Sequence, residues 1–96
     1  MHQKVQRPAM QCKVCYFAAA REAVDLRDSE VYEVENSTTL GELLDQCTRR
    51  YPALKGVLGQ CLLAVNHEYL PTDVPWKEVR LQNNDEVAII PPVSGG

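Results

Sequence analysis

Leu40, Leu43, Leu44, Cys47 and Tyr51 recur at the spacing of an α-helix and form one apolar stripe along it. The stripe follows Asn36-Ser37-Thr38-Thr39. Thr39 and Glu42, three residues apart, have the spacing of a capping box, in which each side chain satisfies a backbone N–H left free at a helix start. Arg49 and Arg50 fall in the last turn, where positive charge complements the helix dipole, and Pro52 stops the helix. Elsewhere the pattern is that of strands. Residues 30–35 alternate strictly, with Val31, Glu33 and Glu35 on one face and Glu30, Tyr32 and Val34 on the other. Residues 11–17 and 86–90 also read as strands, the second after an Asn83-Asn84-Asp85 turn. Residues 61–66 are almost continuously apolar, which suits the middle of a sheet. Tyr69-Leu70 suits a short edge strand, because Pro71 and Pro75 confine the next residues to an edge or loop.

Between these elements, residues 18–29 are expected to form a connection, and residues 53–60 a short turn of helix ended by Gly56 or Gly59. Residues 1–10 read as a flexible polar arm, residues 11–90 as the folded domain and residues 91–96 as an extended tail. One helix laid across one face of a mixed sheet is the economical way to bury a single apolar stripe. The expected fold class is therefore α+β, of the β-grasp type.

Composition narrows the possibilities. Ninety-six residues hold one small domain with no room for a second core. A chain that is 45% hydrophobic and 24% charged has the balance of a folded protein, not a disordered one. No apolar run reaches the length of a transmembrane helix, and no apolar stretch follows Lys4 and Arg7 as a secretory signal requires. Ten basic against thirteen acidic side chains give a net charge of −3, a poor footprint for phosphate backbones. Neither a membrane nor a nucleic acid is expected as a partner. Between Glu22 and Asp45 eight acidic side chains face only Arg27, which reads as a solvated face or as a patch that steers a basic partner. Cys12 and Cys15 have C-x-x-C spacing, but on a strand positions three apart point to opposite faces, so no metal site is expected there. Cys47 and Cys61 read as small buried apolar residues. A chain with neither signal nor disulfide framework is expected in the cytosol.

Side chains offer little catalytic chemistry. The histidines are His2 in the arm and His67 after the apolar strand, and no serine or cysteine has an evident histidine–acid pair. Gly56 and Gly59 are isolated, so there is no phosphate-cradling loop. The C-terminus differs. Pro91-Pro92-Val93-Ser94-Gly95-Gly96 follows the last strand directly. The prolines favour extended backbone and prevent the tail from pairing as another strand. Six extended residues reach about 20 Å. Gly95 and Gly96 carry no side chain, so they can thread a channel little wider than a backbone. Such a tail delivers the Gly96 carboxylate into a cleft on another protein; the alternative is a frayed terminus.

The run from Asp85 through Ile90 to Gly96 resembles the C-terminal signature of the small, sulfur-carrying subunit of molybdopterin synthase, a ubiquitin-like β-grasp family. Val14-Cys15-Tyr16-Phe17-Ala18 with Arg21-Glu22 resembles that family's first strand, Thr39-Leu40-Gly41-Glu42-Leu43 its helix start, and Leu63-Ala64-Val65-Asn66 its apolar strand. The similarity covers residues 11–96. It implies that a ubiquitin-activating-type adenylyltransferase and sulfurtransferase uses ATP to adenylate Gly96, and that sulfur then replaces AMP to leave a thiocarboxylate. It also implies a larger catalytic subunit, two copies of each in a heterotetramer, that accepts the tail and in which the sulfur builds the pterin dithiolene. On this reading the chain is no enzyme by itself and holds no permanent cofactor. The resemblance places Phe17, Tyr69 and Ile90 at the partner interface; burial tendency alone suits Phe17 and Ile90 equally to plain packing. Other readings keep the fold and change the role. They are a ubiquitin-like protein modifier, a sulfur carrier for thiamin or tRNA, and a passive interaction domain.

Overall fold

The computed structural model describes residues 9–71 and 73–92. Its strands are β1 (Ala9–Tyr16), β2 (Ser29–Glu35), β3 (Leu62–Val65), β4 (Glu68–Tyr69) and β5 (Glu86–Ile90). They form one mixed sheet of five strands in the order β2-β1-β5-β3-β4. β5 lies at its centre, parallel to β1 (Val14 beside Val87) and antiparallel to β3 (Leu63 beside Ile89). The helices are α1 (Ala18–Ala23), α2 (Leu40–Arg50) and α3 (Lys55–Leu58), with 3₁₀ turns at Pro52–Leu54 and Trp76–Glu78. The α+β class matches the expectation from sequence.

The core follows from two periodicities meeting. Met10, Cys12, Val14 and Tyr16 of β1 alternate onto one face, as do Tyr32 and Val34 of β2 and Val87 and Ile89 of β5. Leu40, Leu43, Leu44 and Cys47 of α2 pack against them. The capping box forms as the spacing requires: the Glu42 N–H donates to Thr39 Oγ1 at 3.2 Å, and the Thr39 N–H donates to Glu42 Oε1 at 3.0 Å.

Several boundaries differ from the sequence reading. β1 begins at Ala9, not Gln11, because Met10 is in phase with Cys12 and joins the core. Residues 18–23, expected as connection only, form α1, whose first turn is closed by the Phe17 carbonyl accepting the Ala20 and Arg21 N–H groups. It has no capping side chain and is too short to show a period. Of the two glycines expected to end the short helix, Gly59 is the one that caps α3. β3 lies second from the edge, and the centre belongs to β5.

The segment after β4 is strapped across the start of α2. The Leu40 N–H donates to Val79 O at 2.7 Å, and the Leu81 N–H donates to Thr38 O at 2.9 Å. The approach is so close that a Cβ at Gly41 would lie 2.8 Å from the Lys77 carbonyl oxygen. At the other end of α2, the Tyr51 hydroxyl donates to Glu30 Oε2 at 2.7 Å, and the Tyr32 and Tyr16 hydroxyls reach Oε1 at 3.2 and 3.3 Å. Arg27 and Arg50 approach the same carboxylate at 3.8 Å. This one carboxylate ties β1, β2 and the end of α2 together. Burial alone would raise the Glu30 carboxyl, but the hydrogen bonds from Tyr51, Tyr32 and Tyr16 and the Arg50 charge outweigh it and hold the group below its ordinary value of 4.5.

Two outcomes follow for stability. Gly41→Ala should lower it by about 1–3 kcal/mol in thermal melts, since backbone must move, despite a helix-propensity gain of up to about 1 kcal/mol. Gly56→Ala, with nothing within 4 Å of the new Cβ, should leave stability unchanged or raise it. Because the Glu30 pKa is depressed on folding, its contribution is present above the ordinary value and is lost as pH falls through the folded value. Melting temperatures of wild type and Glu30→Gln should therefore differ at neutral pH and converge in acid; a gap that persists unchanged in acid would contradict this.

Candidate functional site at the tail exit

Pro91 and Pro92 follow directly from the central strand β5. Along β5, Val87 and Ile89 face the core, while Glu86, Ala88 and Ile90 face the opposite, outer side of the sheet. The start of β5 is pinned by Asn66, whose Nδ2 donates to Asp85 Oδ1 at 2.9 Å and whose Oδ1 accepts the Glu86 N–H at 2.9 Å. Asp85 Oδ2 accepts the Gln82 N–H at 2.7 Å, and its carbonyl accepts the Lys13 N–H at 2.9 Å. The far end is held by the Phe17 N–H donating to Ile89 O at 3.3 Å. Pro91 is buried and Pro92 exposed, so the chain leaves the core between them. Neither proline has an N–H to extend the ladder. Val93, Ser94, Gly95 and Gly96 lie outside the described residues, as do residues 1–8 of the arm.

Around this exit the outer sheet face is apolar. Strand register sets Ile90 beside Leu62, and the alternation of β1 continues to Phe17 at the same end. One step further from the exit, Cys15, Ala88, Ala64 and Tyr69 lie side by side across four strands, a width of about 14 Å. Phe17 is 48% exposed, Leu62 45% and Tyr69 62%, and Ile90 is half-buried. Phe17 and Ile90 thus stand outside the buried core and flank the root of the tail, while Tyr69 stands on the β4 edge. The sequence reading missed Leu62, Ala64 and Ala88 as parts of this face. An unbroken apolar run hides alternation, and only pairing with β5 reveals which positions in 61–66 point outward.

The thiols are quiet. Cys12 lies in the core and Cys15 on the outer face, so the two diverge as strand geometry requires. Cys15 Sγ donates to Glu86 Oε2 at 3.3 Å. Burial, then this hydrogen bond and the nearby carboxylate charge, push its pKa up to about 11. Burial likewise raises Cys12, Cys47 and Cys61. Thiolate is the nucleophile, so these side chains are poor ones at neutral pH. Alkylation of Cys15 by iodoacetamide should be slow and should quicken in Glu86→Gln, as followed by peptide mass spectrometry; equal rates would contradict the pairing.

The fold is that of a ubiquitin-like β-grasp protein whose central strand ends beside an apolar collar, with Gly95-Gly96 following a few residues later in the sequence. The comparisons make this specific. Residues 14–96 match the ThiS family. The chain is 40% identical over 87 residues to the molybdopterin synthase sulfur carrier subunit of Chlamydomonas reinhardtii, covering 91% of this chain and 100% of that one. It is 41% identical over 83 residues to the subunit of the same name from Mycobacterium tuberculosis, covering 86% and 94%. Among solved structures, small archaeal modifier protein 1 from Methanosarcina acetivorans superposes with a TM-score of 0.73 at 27% identity, over 93% of this chain and 99% of that one. The complex of subunits 1 and 2 of the molybdopterin-converting factor from Helicobacter pylori contains a chain matching with a TM-score of 0.60 at 25% identity, over 91% and 100%. The chain belongs to the ThiS family, in its branch of molybdopterin synthase sulfur carrier subunits. Among the described residues no helix is long and apolar enough to cross a membrane.

Proposed function

We propose that this chain is the sulfur carrier subunit of a molybdopterin synthase, with Gly96 as its terminal, reacting residue. The observation that carries the reading is a pinned central strand that ends beside Phe17, Ile90 and Leu62 and is followed in sequence by Pro-Pro-Val-Ser-Gly-Gly. A terminal carboxylate, with a pKa of about 3.5, is ionised at neutral pH and is a poor electrophile. Activation makes it one. A Gly96 oxygen attacks the α-phosphorus of ATP on a ubiquitin-activating-type adenylyltransferase, and pyrophosphate leaves. Sulfur supplied at the sulfide level (hydrosulfide) then attacks the acyl carbon, the bond to AMP breaks, and a thiocarboxylate remains on Gly96.

The chain's own contribution is mechanical and steric. Pro91 and Pro92 hold the tail away from the sheet, Val93 and Ser94 lengthen it, and Gly95 and Gly96 thread the partner's channel. Phe17, Tyr69 and Ile90 form the surface on which the larger catalytic subunit docks, in a heterotetramer of two copies of each. There the sulfur attacks the cyclic pyranopterin precursor, water then cleaves the acyl–sulfur bond and returns the Gly96 carboxylate, and two such deliveries form the dithiolene. Acid–base groups come from the larger subunit, so the chain is a donor subunit of a heteromeric sulfurtransferase acting in the cytosol. Its buried thiols take no part. The likeness to an archaeal modifier keeps one second reading in view, attachment of Gly96 to lysines.

Adding one residue after Gly96, or deleting Gly96, should abolish pterin conversion with the reconstituted large subunit. Stability in thermal melts should change by less than about 0.5 kcal/mol, because the altered position lies six residues beyond the end of the last strand at Ile90. Misplacing a reacting atom by about 1 Å can cost about a hundredfold, and a residue's length is several times that. Normal turnover by the extended protein, untrimmed, would defeat the proposal.

A further inference from the structure

Around the β3 edge from the collar, α2, α3, β3 and the Trp76–Glu78 turn enclose a groove of about 400 Å³. Leu44, Leu58, Leu63, Leu70 and Trp76 give it an apolar lining. The exposed Lys55 and Lys77 line it as well, and neither forms an ion pair with a described residue. Asp45 is the one carboxylate among the described lining residues, so the groove is net positive on a chain of net charge −3. It suits a short segment that brings an apolar side chain and a negative charge.

The chain's own end has that composition. Beyond Pro92 come Val93, Ser94, Gly95 and Gly96, where Val93 is the one apolar side chain and the terminal carboxylate the one charge. Pro91 and Pro92 bar ladder pairing at its root, which leaves side-chain and charge contacts to hold it. Connectivity brings it to the groove. Antiparallel register sets Ile90 beside Leu62, and Leu62 is itself part of the groove lining. β4 pairs only with Ala64 and Val65, so no strand covers β3 at Leu62. Adjacent strands lie about 5 Å apart, and four extended residues span about 13 Å, enough to cross the start of β3. A tether this short gives an effective concentration in the millimolar range, so a contact with a Kd of about 1 mM holds half of the tails or more. A separate molecule lacks that advantage. We propose that the groove receives this chain's own residues 93–96, with Val93 on the apolar floor and the Gly96 carboxylate paired with the groove's lysines. A thiocarboxylate carries the same single negative charge, so the groove holds the loaded end as well as the unloaded one. The docked end is a resting state of the carrier between partners. That role rests on the sulfur-carrier reading above; the docking itself does not.

Trp76 is the single tryptophan of the chain, and its indole N–H reports on the groove. Proton–nitrogen NMR compares the full chain with one ending at Pro92, both without partners. The indole resonance should differ between the two, and the difference should persist on tenfold dilution. Carboxypeptidase should release Gly96 about threefold faster from the Lys55→Gln/Lys77→Gln variant than from wild type, with the melting temperature unchanged. At about 1 M salt the two rates should converge. An indole resonance indifferent to the truncation, or equal release rates at low salt, overturns the docking and leaves the sulfur-carrier reading intact. A difference that fades on dilution gives the groove to a second copy's tail and overturns it equally. Docking without any sulfur uptake by Gly96, given the activating enzyme, ATP and a sulfur donor, would instead defeat the carrier reading and the resting-state role built on it.

Discussion

β5 is hydrogen-bonded along both edges, to β1 on one side and β3 on the other, and its Val87 and Ile89 side chains are fully buried under the core. It is the middle strand of the five. Because it is central and doubly paired, β5 opens only when the sheet itself comes apart. The Asn66–Asp85–Glu86 hydrogen bonds fix where it starts, and Pro91 and Pro92 fix where its pairing ends. A tail rooted there begins from a rigid point. A carrier that presents one atom to a partner needs that rigidity, since its reach is set by residue count from a fixed origin.

The two faces of the sheet divide the work. The inner face and α2 supply the apolar burial that stabilises so small a chain, with the Glu30 carboxylate joining the helix end to β1 and β2. Freed from that role, the outer face keeps Phe17, Leu62 and Tyr69 exposed beside the exit. The charged groups that β1 and β5 place on that face, Lys13 and Glu86, stand at the end of those strands away from Pro91. The thiols of the fold are quiet: Cys12, Cys15 and Cys47 are buried, and burial raises the pKa of these three and of Cys61.

The features legible in the sequence were those that local physics determines. The Thr39–Glu42 box and the Leu40, Leu43, Leu44, Cys47 stripe are written within one helix, and the alternation of Tyr32 and Val34 within one strand. The end of the last strand was legible because Pro91 and Pro92 act through their own backbones. Long-range pairing was not. The outward orientation of Leu62 depends on its partner Ile90, and the centrality of β5 on a parallel pairing with β1 across the whole chain. α1 escaped notice because six residues closed by backbone groups alone carry neither a cap signature nor a measurable period.

The central claim is that Gly96 is the covalent sulfur bearer, and intact-protein mass spectrometry tests it most directly. The purified chain is incubated with its activating enzyme, ATP and a sulfur donor, then weighed whole and fragmented from the C-terminus. The account predicts a mass gain equal to the replacement of one oxygen by sulfur, confined to Gly96 and dependent on ATP. An unmodified C-terminus under those conditions, or sulfur found on a cysteine instead, would contradict it.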